Sequence, residues 1–128
     1  MSIARYAATQ NAAASPREIE LRAFRYVNGL LAAADGVPAR AEALHKAHRL
    51  WTLLLNDLAS PGNALPQALR GQLVSLGLWA QREADARLAD GGSLEALMAL
   101  HRDMIAGLEA QRPAPAGASP RVLEPATA

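Results

Sequence analysis

With no cysteine in the chain to supply a thiolate, its three histidines are the first candidates for chemistry. His45 and His48 stand three residues apart, a spacing that puts both imidazoles on one side of a helix and suits a pair of metal ligands. Such a site needs a third histidine or a carboxylate in support, and neither falls at a matching interval. A solvated or helix-capping role fits them better. His101 sits among leucines and methionines, in the middle of an apolar helix face. There it reads as a buried histidine satisfied by one hydrogen bond.

The carboxylates lead no further towards a reaction. Asp57, Glu83, Asp85, Asp90 and Asp103 fall on polar helix faces near arginines such as Arg82 and Arg87, the pattern of solvated ion pairs. No serine occupies a nucleophile elbow, no glycine loop matches a phosphate cradle, and no zinc-protease motif is present. The expectation is a protein that is not an enzyme and needs neither metal nor cofactor.

Composition narrows the class. The 128 residues suit one small domain, and 51% are hydrophobic, with alanine a large share of them. Thirteen basic residues against twelve acidic ones give a net charge of +1, and no segment carries a basic stripe. Phosphate-backbone binding therefore has little electrostatic support. No run approaches the ~18 continuous apolar residues of a membrane span, and residues 1–11 lack the apolar core of a signal peptide. A cytoplasmic protein is expected.

The elements that must position any site are helical. Ser15-Pro16-Arg17-Glu18 is a capping box with proline at the first helical position. The helix it opens puts Ala23, Phe24, Val27, Leu30, Leu31 and Ala34 on one face, and Asp35-Gly36-Val37-Pro38 ends it. A second helix, from about Ala39 to Ala59, sets Leu44, Ala47, Trp51, Leu54 and Leu58 at alternating three- and four-residue steps. Ser60-Pro61-Gly62-Asn63 breaks it. A third starts near Pro66 and stops at Gly91-Gly92, and Ser93 caps a fourth with Leu94, Leu97, Met98, Met104, Ile105 and Leu108 inward. The fold class is all-α, a small antiparallel bundle of four principal helices over residues 15–110. Residues 1–14 form an N-terminal segment with the propensity for a short helix. The Pro/Ala-rich tail, 111–128, has the composition of a disordered segment.

The third helix has more apolar surface than one core contact requires. If Leu76 centres its inner face, Leu69, Leu73 and Ala80 lie within about 60° of it, and Val74 and Leu78 point almost directly away. Leu53 on the second helix is similar, with Arg49, Asn56 and Asp57 at its i−4, i+3 and i+4 positions. The N-terminal segment or the first helix could bury these side chains. Left exposed, they would form an interaction patch suited to an amphipathic helix laid in a groove. Trp51 belongs to the apolar seam, and Trp79, at the edge of the inner face, is the better contact residue. The candidate partner-binding residues are Leu53, Val74, Leu78 and Trp79.

An ordered set of short pieces resembles the FlaF family of flagellar biosynthesis regulators. They are Tyr6, Ser15-Pro16-Arg17 with Glu20, Arg49-Leu50-Trp51, Pro61-Gly62-Asn63 with Leu65-Pro66, Leu76 with Leu78-Trp79, and Ile105 with Gly107-Leu108. His48 departs from it, standing where the family usually has asparagine. The resemblance implies a helical protein that engages flagellin before secretion and promotes its synthesis and export. It would act beside a second regulator, FlbT, which restrains flagellin translation. It leaves two other mechanisms open: direct action on flagellin mRNA, which the flat charge disfavours, and a hub that binds FlbT alone.

Overall fold

The computed structural model describes residues 15–111, and these form four helices: α1 Pro16–Ala33, α2 Val37–Ala59, α3 Gln67–Asp90 and α4 Glu95–Ala110. The short N-terminal helix expected before residue 15 and the tail from Arg112 lie outside the described residues. The chemistry of the helix ends is local. Ser15 Oγ accepts the Glu18 N–H at 3.1 Å, which satisfies one of the orphan donors of α1. Gly36, at φ 87°, turns the chain into α2. Pro38, expected to help end the first helix, instead lies in the first turn of α2, where its missing N–H has no partner to lose.

The loop after α2 is tied by its own side chains. Asn63 donates to the Asp57 carboxylate at 3.2 Å and accepts the Leu65 N–H at 3.0 Å. At the far end, Gly91 adopts a left-handed conformation, φ 68°, and its N–H donates to Arg87 O. Arg40 donates from the start of α2 to the carbonyls of Arg87 and Gly92, supplying positive charge at the C-terminus of α3. Leu94, and not Ser93 as expected, is the N-cap of α4; Ser93, one residue earlier, accepts the Glu95 N–H on its Oγ at 3.1 Å.

Neighbouring helices run antiparallel. His48, Thr52 and Leu55 ascend α2 while their contacts Asp85, Gln81 and Gly77 descend α3. Arg17 at the start of α1 donates to Gln111 just past the end of α4. The α2–α3 pairing is the most extensive, α1 packs on α4 and α2, and α3 barely meets α4. The core collects Leu21, Phe24, Val27 and Leu31 of α1, Leu44, Ala47, Trp51 and Leu58 of α2, and Leu97 and Leu108 of α4. From α3 come only Gly77, Ala80 and Ala84.

Candidate interaction surface

Those three small residues set how α3 sits. Gly77, Ala80 and Ala84 share one face, and that face lies so close to α2 that a Cβ on Gly77 would stand 2.8 Å from Leu55 Cδ2 and 3.1 Å from Trp51 Cε3. No leucine fits there. The inner face is therefore centred on Gly77 and Ala80 and not on Leu76, which is 39% exposed. Hydrophobicity assigned the centre to the largest apolar side chains, whereas close approach selects the smallest. Thr52 and Gln81 bond across the same seam at 2.6 Å, and His48 Nε2 lies 3.8 Å from Asp85 Oδ2 further along.

With its small side chains inward, α3 turns its leucines out on both flanks. Val74 and Leu78, one turn apart, occupy the flank beside α2; Val74 is half-buried and Leu78 is 44% exposed. Trp79 is 37% exposed and lies about 100° from Leu78 but only about 60° from Leu76. The tryptophan thus shares the opposite flank with Leu76 and Leu69. Leu53 is 55% exposed and points almost directly away from buried Trp51 on α2. The four candidates are all accessible to some degree, yet only Val74 and Leu78 share one face.

The flank beyond Leu76 opens into a groove of ≈ 330 Å³ that no reading of the sequence located. Its apolar wall comprises Leu54 and Leu58 of α2, Leu69 and Leu73 of α3, Met104 and Leu108 of α4, and loop residue Leu65. Glu20, Asp57 and Asp103 line it with a single cation, Arg17. Burial, aided by the nearby Asp57 carboxylate and opposed by Arg17, raises the pKa of Glu20 above the usual carboxylate value. The available signal was the Gly77, Ala80, Ala84 spacing, since a seam of small residues rotates every leucine of α3 away from where a hydrophobic-face reading puts it.

The buried polar group is elsewhere. His101 is fully buried, and its Nε2 accepts the Trp51 indole N–H at 2.9 Å, the single hydrogen bond expected of it. An acceptor Nε2 places the proton of the neutral ring on Nδ1, which has no partner among the described residues. Phe24 packs edge-on against both rings, 5.4 Å from Trp51 and 5.5 Å from His101. Burial lowers the His101 pKa to about 4, so the ring is neutral at pH 7 and serves as a polar rivet between α2 and α4.

Among the described residues no helix is long and apolar enough to cross a membrane, and no three His, Asp or Glu side chains are grouped to hold a metal ion. The molecule is thus a small all-α bundle with accessible apolar surface on both flanks of one helix. A family model described as flagellar protein FlaF matches residues 2–108. The chain belongs to the FlaF family and is a flagellar protein. No curated protein and no solved structure matches it.

Proposed function

We propose that this protein binds flagellin before export, in the cytoplasm, and thereby promotes flagellin synthesis and secretion. Membership of the FlaF family supplies the flagellar setting. The observation that carries the mechanism is α3, whose small inner seam leaves Leu76, Leu78 and Trp79 each more than a third exposed. Such surface suits an amphipathic helix, which buries an apolar stripe it cannot bury alone. Val74 and Leu78, which share one face, are the first contact residues of this reading; Leu53, on α2, and Trp79, on the opposite flank of α3, are its remaining candidates. The protein works by binding, without a reaction, metal or cofactor of its own.

Titration calorimetry of the protein against monomeric flagellin tests this. Saturable binding with a negative heat-capacity change, lost when the terminal segments of flagellin are removed, is the expected result. Changing Val74 and Leu78 together to serine should weaken that binding and leave the helical circular dichroism intact. No heat from two folded proteins would overturn the reading. The partner would then be sought in FlbT, by co-purification from cells lacking flagellin, and in flagellin mRNA, by salt-dependent retention.

A further inference from the structure

The groove between the first half of α3 and the second half of α4 marks the seam where adjacent helices of the described bundle pack least. Elsewhere neighbouring helices meet closely; here α3 and α4 diverge, and Leu69, Leu73 and Met104 line a hollow instead of touching one another's helix. The chain enters the bundle at this spot. Pro16 and Arg17, the first two residues of α1, line the groove, so whatever precedes Ser15 leaves from its mouth.

The segment that leaves there has complementary chemistry. Residues 2–14 contain one charged side chain, the cation Arg5, and no acid, with Ile3, Tyr6 and several alanines as apolar surface. The groove offers leucines and a methionine, and its carboxylates outnumber its cation three to one. The ten residues from Arg5 to Ser15 reach about 15 Å as a helix or about 33 Å extended, enough to lie along the groove in either form. The family match begins at residue 2 and ends at 108, so this segment, unlike the tail, is part of what defines the family.

We propose that residues 2–14 dock into the groove of their own chain, Ile3 and Tyr6 against Leu69, Leu73 and Met104, and Arg5 towards Glu20, Asp57 and Asp103. The segment then supplies the packing that α3 and α4 do not give each other. The inference does not rest on flagellin binding, which was assigned to other side chains of α3 and to Leu53.

The full chain allows a direct test, because it has no cysteine and only three methionines. A spin label on Ala8→Cys is unique, and a chain labelled with ¹³C at the methionine methyls gives separate signals for Met98 and Met104. The label should broaden the Met104 methyl strongly and Met98, outside the groove, much less. Arg5→Glu should remove that contrast, and adding Asp103→Arg should restore it. Equal broadening of the two methyls, or none, would overturn the proposal and leave the groove to a separate partner. Broadening that persists when a spin-labelled chain without ¹³C is mixed with an unlabelled ¹³C chain would also overturn it, placing a second copy there.

Discussion

The α1–α2–α4 side of this bundle and its third helix solve packing in opposite ways. On the first, large side chains interlock: Trp51, Phe24 and His101 are buried together, ring against ring, with an internal hydrogen bond. On the second, α3 contributes almost no side-chain volume and instead brings its backbone close to α2 through Gly77, Ala80 and Ala84. One side holds the fold by what it buries. The other leaves its leucines available by burying so little.

That difference predicts where substitution hurts. Trp51→Ala should cause the largest loss, about 3–5 kcal/mol, from a vacated aromatic volume and a His101 nitrogen deprived of its donor. Urea unfolding monitored by far-UV circular dichroism checks it. A loss below about 1 kcal/mol would mean the side built on large side chains is no more committed than α3.

The His101 ring gives the next effect, and acid reveals it. Its folded pKa of about 4 lies below the ordinary 6.5, so the unfolded chain binds the proton first as pH falls. Stability from this group is fully present above about pH 6.5 and is lost progressively towards pH 4, a change on the order of 3 kcal/mol. Glu20 acts in the opposite sense, because its raised pKa lets the folded state take up a proton earlier. His101→Gln, which can still accept the Trp51 N–H, should therefore flatten the acid loss and leave the smaller, opposite Glu20 trend. Denaturation midpoints between pH 4 and 7 decide between them, and an unchanged slope in the variant would remove His101 as the cause.

Two glycines of α3 sharpen the contrast within one helix. Gly71 has open space where a Cβ would stand, so Gly71→Ala should gain up to about 1 kcal/mol of helix propensity. Gly77→Ala gains the same propensity but drives a methyl into Leu55 and Trp51, and overpacking of about 1–3 kcal/mol outweighs it. Opposite signs in thermal unfolding are expected. A stabilised Gly77→Ala would show that the α2–α3 seam has slack.

What the sequence disclosed follows the same division. Capping and stop signals placed the four helices within two residues of where they lie, since Ser15, Gly36, Gly91 and Ser93 act through local hydrogen bonds and backbone angles. Trp51 and His101 were placed correctly because a three-four rhythm of large apolar residues marks a buried face. The rotation of α3 was not legible, for a hydrophobic pattern weighs Leu76 above Gly77 while close packing reverses that order. The groove was invisible for a further reason. It exists only because Leu69 and Leu73 meet Met104 and Leu108 across some thirty residues of chain, a relation no local pattern encodes.

The smallest stability effect should come from two exposed leucines of the candidate surface, and its smallness is what makes it informative. Leu53 and Leu78 keep about half their surface in solvent, so Leu53→Ser and Leu78→Ser forgo little burial and lose mainly the helix preference of leucine over serine. Each should shift stability by less than about 1 kcal/mol. Flagellin affinity should fall further than stability does, because a side chain idle in the free protein contributes its burial only in the complex. Calorimetry beside urea unfolding on the same samples separates the two. If stability falls by several kcal/mol instead, these leucines belong to the fold, and the division between a committed side and an available one fails at the residues chosen to define it.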